Sequence, residues 1–421
     1  MTTSAPGPAR GLDGFCTRSA IFVAPSCARC ETKVVHKPLN HPGEPGGERF
    51  PHPWGPLMNR RTFLHGGLAA GTTRSVLAAF RDTRFDDAAD ILSRATASGQ
   101  VVAAVLCVNQ RNTQFTRAFG KAKSEDAMFL LGSISKPIAM TALMTLFDRH
   151  AFQLDDPLKN YIPSFTGGGR DDVTMSHLLT HVSGLPDQLP SNAMLRSKHA
   201  SLAEFEEHTI RTPLEFAPGS RYQYSSMGIL LAARVAERLG GSDIRELVER
   251  AVFQPLLMKH SAQGLGRFRL EDMVLSQTER AAPESGGGDP NAKDWDWNSA
   301  YWRTLGAPWG GTHASAPDLV RFLSEFLYEK GAAVKPETAR LMVKNHNPPA
   351  LTPRGLGLNV GRLAGSPACS DRTFGHTGST GTLCWADPAS ELICVVLTSL
   401  PARAVEPHPR DLVSARIALN A

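Results

Sequence analysis

Apolar and polar positions along the chain fall into stretches of different character. Up to residue 57 they follow neither a helical nor a strand period. That stretch holds nine prolines and seven glycines, too little apolar surface to offset the entropy of ordering it. From about residue 81 the pattern is continuous, with no internal repeat. Residues 87–97 carry apolar side chains at helical spacing. Residues 101–108 are a run of β-formers that meets turn residues at 109–112, and a second run over 113–119 completes a predicted antiparallel hairpin. Residues 134–147 and 227–239 read as helices, the second closed by Gly240-Gly241, and 318–327 reads as another, with its cap expected at Ala316-Pro317-Asp318. Residues 372–376, 382–385 and 392–397 read as strands, with a turn at Asp387-Pro388. Strands near both ends with helices between them predict an α+β domain over 81–421. One sheet would be built from residues 81–130 and 305–421, with a mostly helical region over 131–304.

Composition narrows the classes. With 421 residues, 42% of them hydrophobic, the chain is neither a small disulfide scaffold nor a disordered polymer. No uninterrupted apolar run reaches the length of a membrane span. The formal charge is +5, but the first 80 residues hold nine Lys and Arg against four Asp and Glu. The excess therefore sits there and the body is neutral, which argues against a nucleic-acid partner. Seven cysteines show no framework spacing, and those of the body (Cys107, Cys369, Cys384, Cys394) read as buried free thiols. Cys27 and Cys30 with His36 and His41 have ligand chemistry but no apolar core around them, so they read as tail composition rather than a zinc site.

At Met58 the character changes. Asn59-Arg60-Arg61-Thr62-Phe63-Leu64-His65, followed by a Gly- and Ala-rich stretch and Leu77-Ala78-Ala79, resembles a twin-arginine export signal over 58–80. A basic linker is the alternative. The export reading predicts a periplasmic or cell-envelope protein whose translation starts at Met58, with residues 1–57 an artefact of gene calling.

The candidate chemistry begins at Gly132-Ser133-Ile134-Ser135-Lys136-Pro137. Pro137 is tolerated only in a first helical turn, so Ser133 sits at a helix start, and the i, i+3 spacing puts Lys136 on its face. A desolvated lysine can activate a serine nucleophile. Two further elements follow in order: Tyr222-Gln223-Tyr224-Ser225-Ser226 before a helix, and Phe374-Gly375-His376-Thr377-Gly378-Ser379 on a C-terminal strand. With Leu178-Leu179-Thr180-His181-Val182-Ser183-Gly184-Leu185, Gly310-Gly311 and Gly355-Leu356-Gly357, the chain resembles the serine β-lactamase and penicillin-binding protein superfamily over roughly residues 85–400. The likeness is to the branch of class C β-lactamases, D-alanyl-D-alanine carboxypeptidases and related esterases, with motifs Ser-x-x-Lys, Tyr-x-Asn and Lys/His-Thr-Gly.

That resemblance implies a β-lactamase/transpeptidase-like fold, an antiparallel sheet flanked by helices. It implies an acyl-enzyme on Ser133, with Lys136 and Tyr224 as the proton-transfer pair, either of which takes the serine proton. The backbone N–H groups of Ser133 and Ser379 would form the oxyanion hole, and Ser226, His376, Thr377 and Gly378 would contact substrate. No cofactor or metal is called for. The expected partner is a small-molecule or peptide acyl substrate, with carboxypeptidase or esterase activity ahead of true β-lactamase activity. A slowly turning-over penicillin-binding sensor is a further alternative.

Two departures shape this reading. Ser226 stands where the family has Asn, which weakens amide recognition. His376 stands where class C enzymes have lysine, so a pH–rate limb between about 5.5 and 7.5 is expected from it. His177 and His181 have the i, i+4 spacing of metal ligands but lack the glutamate of a His-Glu-x-x-His site, and His181 is expected to bond local backbone. Trp295, Trp297, Trp302 and Trp309 either wall an apolar acyl pocket or cover the sheet and close the helical region.

Overall fold

The structure, a computed structural model, describes residues 83–111 and 113–421. All of them fall in one unit, Ser75–Ala421. The tail to residue 57, the twin-arginine segment and the Cys27/Cys30/His36/His41 group lie outside the described residues.

In chain order the strands are β1 (Ala103–Gln110), β2 (Thr113–Gly120), β3 (Met128–Leu130), β4 (Ser261–Gln263), β5 (Met273–Val274), β6 (Thr312–Ala314), β7 (Asn359–Val360), β8 (Phe374–Gly378), β9 (Thr382–Asp387) and β10 (Leu392–Thr398). Six of them form the main sheet, in the order β2-β1-β10-β9-β8-β7, and every pairing is antiparallel. The expected hairpin is β1–β2, with Ala103 opposite Gly120, and the sheet draws its strands from both ends of the chain, as the pattern predicted.

Helices cover both faces. The principal ones are α1 (Asp86–Ala97), α2 (Ser135–Phe147), α3 (Ser226–Gly240), α4 (Ala316–Leu327) and α5 (Pro409–Leu419). Alternation along the central strands feeds two cores. Val105, Cys107, Val395 and Leu397 join the core of α2, α3 and α4, whereas Leu106, Val108, Cys394 and Val396 pack with Leu92 of α1 and Val413 and Ile417 of α5. This two-sided burial is why β1 and β10 read as unbroken apolar runs rather than alternating ones. The four body cysteines are buried and free, and burial pushes the Cys107 and Cys384 thiols up to about 12, so they stay unreactive.

Three features differ from the pattern-based expectation. The middle region also contributes to a second, four-stranded sheet, β4-β6-β3-β5, whose strands are too short to carry a period. The cap of α4 is Ser315, which accepts from the Asp318 N–H, and Pro317 occupies the first turn, so the helix starts earlier than 318. Helix α5 has no counterpart in the sequence pattern, because Leu412 and Leu419 are exposed while Val413 and Ile417 are buried, so its apolar residues do not mark one face.

Leu106 is fully buried, in the core on the α1/α5 face. Leu106→Ala should cost about 2–5 kcal/mol of stability, read as a lowered midpoint in chemical denaturation.

Candidate active site

A single 3₁₀ turn, Gly132–Ile134, leads into α2 and carries Ser133. Gly132 has φ 58°, and a Cβ there would lie 3.0 Å from Thr380 Oγ1 and 3.2 Å from the Ser379 nitrogen. At the end of β8 the approach is closer still: a Cβ on Gly378 would meet the Leu131 carbonyl at 2.1 Å. Glycine at both places lets the serine turn and the end of β8 touch backbone to backbone. Ser133 and Ser379 consequently line the same cavity.

Lys136 lies in the first turn of α2, a helix buried on every side from Ser135 to Leu146. Its Nζ is 3.0 Å from Ser133 Oγ and donates to the Trp309 carbonyl at 3.0 Å. Burial pulls the amine down from its ordinary value to about 7. The Asp187 carboxylate opposes that shift and the Arg354 guanidinium reinforces it. Near neutrality a large share of Lys136 is therefore an unprotonated amine able to accept the serine proton.

Tyr224 enters just ahead of α3, whose N-cap Ser225 accepts from the Gly228 N–H. Lys136 Nζ sits 4.7 Å from the centre of its ring. Burial raises the phenol well above its usual range, and Arg354 and the adjacent Ser133 hydroxyl do not offset this. Tyr224 is thus a protonated phenol, and its buried Oη has no hydrogen-bond partner among the described residues. Its protonated form suits giving a proton rather than taking one.

Ser226 opens α3, and both its N–H (2.9 Å) and its Oγ (2.5 Å) donate to Asp187 Oδ1. The hydroxyl at this departure from Tyr-x-Asn is thereby engaged with a carboxylate that lines the cavity. Asp187 escaped the sequence reading because only folding brings the Gly184-Leu185-Pro186-Asp187 loop to the start of α3.

His376 requires a correction. Its ring is buried, its Nδ1 faces the Thr377 carbonyl at 2.7 Å and its Nε2 accepts from Arg354 Nη2 at 2.9 Å. Burial, with Arg354 and Lys136 alongside, holds it well below the usual histidine value. That direction removes the expected switch from His376, and Lys136 is the group of the site brought near neutrality.

Two cavities flank Ser133. One, of about 260 Å³, has Trp297, Trp302 and Trp309 on its wall along with Tyr224, Ser226 and Ser379. The other, of about 320 Å³, is bounded by Tyr222, Arg354, His376, Thr377 and Gly378. Every sequence-predicted site residue thus lies at one cavity or, like Lys136, in contact with Ser133. Trp297, Trp302 and Trp309 are buried in the core and also line the cavity, whereas Trp295 is buried without lining it. His177 and His181 bond backbone instead of a metal, accepting from the Thr174 and Ser225 N–H groups. The Ser225 partner is remote in sequence. Among the described residues no group of three His, Cys, Asp or Glu is placed to hold a metal.

For hydrolysis of a chromogenic ester, kcat/KM should rise about tenfold per pH unit below about 7 and level off above it, because the amine must lose its proton to act. Lys136→Met should lose the activity at every pH.

The family model described as Beta-lactamase matches residues 88–418. A protein of Escherichia coli (strain K12) whose name assigns it, provisionally, as a D-alanyl-D-alanine carboxypeptidase is 24% identical over 339 residues, which cover 70% of this chain and 78% of that protein. Esterase EstB of Burkholderia gladioli is 35% identical over 158 residues, 34% of this chain and 40% of the esterase. Among solved structures, EstCE1, described as a hydrolase with promiscuous acyltransferase activity, superposes with a TM-score of 0.65 at 20% identity. It covers 80% of this chain and 99% of its own.

Proposed function

The chain belongs to the Beta-lactamase family of serine hydrolases, and from that premise we propose that it works through an acyl-enzyme on Ser133, on ester or peptide acyl groups. The observation that carries this reading is the buried Lys136 amine 3.0 Å from Ser133 Oγ. Lys136 takes the Ser133 proton as Oγ attacks the substrate carbonyl. The negative oxygen is met by the N–H groups of Ser133 and Ser379. On collapse, the Tyr224 hydroxyl gives its proton to the departing oxygen or nitrogen and regains one from Lys136. Water then enters by the reverse sequence, releasing the acid and restoring Ser133.

An ester, or a peptide lacking the acylamino group of penicillins, suits the cavity better than a β-lactam. With its hydroxyl tied to Asp187, Ser226 offers no carboxamide to pair with a substrate amide, and a fixed carboxylate beside it repels acceptor oxygens. The partial likeness to EstB favours the same side; the carboxypeptidase-named relative keeps peptides within the class. We place the protein in the periplasm or cell envelope, a reading supported by Arg60-Arg61 and the small-residue stretch after them.

Intact-mass measurement of the full chain after treatment with a fluorophosphonate should give one adduct, missing in Ser133→Ala. The same adduct on Ser133→Ala would overturn the assignment. Short-chain esters should turn over many times, and penicillin should leave no lasting adduct. A lasting penicillin adduct would instead favour a penicillin-binding sensor, and rapid penicillin consumption a β-lactamase. Trp297→Ala should raise KM for long-chain acyl esters several-fold more than for acetyl esters.

A further inference from the structure

The peptide between Gly378 and Ser379 is held by a side chain from the far end of the chain. Arg410, in the first turn of α5 and 8% exposed, donates through Nη1 to the Gly378 carbonyl at 2.6 Å and to the Thr382 carbonyl at 2.9 Å. The Gly378 carbonyl also takes the Gly381 N–H at 3.1 Å, which closes the turn between β8 and β9. Arg410 Nε donates to Asp411 Oδ1 at 3.1 Å. That carboxylate is half-exposed, so water screens it and it offsets the guanidinium charge only in part.

The other end of the same peptide is the Ser379 N–H. It lies just past β8 and donates to no group among the described residues. Ser379 lines both cavities beside Ser133, and its nitrogen is 3.2 Å from where a Cβ on Gly132 would sit. A trans peptide is planar and points its C=O and N–H in opposite directions, so fixing the carbonyl fixes the direction of the N–H. A cation hydrogen-bonded to the carbonyl oxygen also draws electron density from the nitrogen, which makes the N–H a stronger donor. Hydrogen bonds in series polarise one another in this way, most of all where water is scarce.

We propose that Arg410 is a positioning residue for the oxyanion hole: through the Gly378–Ser379 peptide it aims the Ser379 N–H at the oxygen that becomes negative and lends it positive charge. This role rests on the Ser133 acyl-enzyme reading above. It gives α5 a part in the rate as well as in holding the sheet. Arg410 also borders the second cavity, so the competing role is a direct contact with the leaving part of a substrate.

The test uses an alkyl trifluoromethyl ketone, labelled with carbon-13 at the carbonyl and added to the full chain. Ser133 Oγ bonds to the carbonyl carbon, the serine proton passes to Lys136, and the π electrons stay on oxygen as a hemiketal oxyanion. Carbon-13 NMR against pH gives the midpoint at which that oxygen takes up a proton, and the ketone has no leaving group to contact Arg410. Arg410→Gln should raise the midpoint by about one unit and lower kcat for an ester by about tenfold, with KM little changed. Asp411→Asn keeps an acceptor for Nε but removes the carboxylate charge, and should lower the midpoint by about 0.2–0.5 unit. A raised midpoint in Arg410→Gln carries the proposal unless Asp411→Asn raises it too. If Arg410→Gln does not fold, Asp411→Asn takes its place, and a midpoint unmoved or raised there overturns the proposal. A KM raised several-fold in Arg410→Gln, with the midpoint at its wild-type place, assigns Arg410 to the leaving part and also overturns it. If the wild type forms no adduct that Ser133→Ala lacks, the acyl-enzyme scheme fails together with the Arg410 role. An adduct on Ser133 whose midpoint ignores Arg410→Gln overturns the latter alone.

Discussion

The burial of one amine organises this protein. Lys136 has no solvent exposure, and a charged ammonium there would be expensive to desolvate. The site lowers that cost by letting the proton leave, and it keeps the amine placed through two short contacts, to the Ser133 hydroxyl and the Trp309 carbonyl. Both contacts depend on distant parts of the chain being fixed. Helix α2 must be apolar on all sides to sit at the centre of the core, and the segment before Gly310-Gly311 must return to meet it.

The same demand for close approach shapes the surroundings of Ser133. Gly378 at the end of β8 touches the residues before Ser133, and Arg410 of α5 donates to the Gly378 and Thr382 carbonyls. The end of β8, the serine turn and the C-terminal helix are thereby joined as one support. A cavity opens on either side of Ser133, one walled by tryptophans and one by Arg354 and the β8 backbone. That division suits a reaction in which the acyl part and the leaving part of a substrate separate at the serine.

Charge is arranged more economically than the residue types suggest. His376 and His181 are neutral, the Tyr224 phenol keeps its proton, and Lys136 is poised near neutrality. Asp187 and Arg354 bear on the Lys136 amine in opposite directions. A family motif read by residue type alone would assign His376 the titration; burial reassigns it to the lysine, because desolvation disfavours the charged form of each and the lysine starts from a far higher value.

Much of this was legible in the chain. Local pattern pointed to α1, α3 and α4 by helical spacing, to α2 by an apolar run opened by Pro137, and to β1, β2, β8, β9 and β10 by runs of β-formers. The ordered motifs at Ser133, Tyr224 and His376 named the centre of the site, because their spacing and turn residues are local properties. Tertiary structure alone decided the rest. The short strands β4 to β6 and helix α5 have too little period to be read. Asp187 and Arg354 come from loops far from the motifs in sequence and gain meaning only from what they face. The proton states of Lys136, Tyr224 and His376 follow from burial and from charges brought together through space, quantities that a linear sequence does not contain.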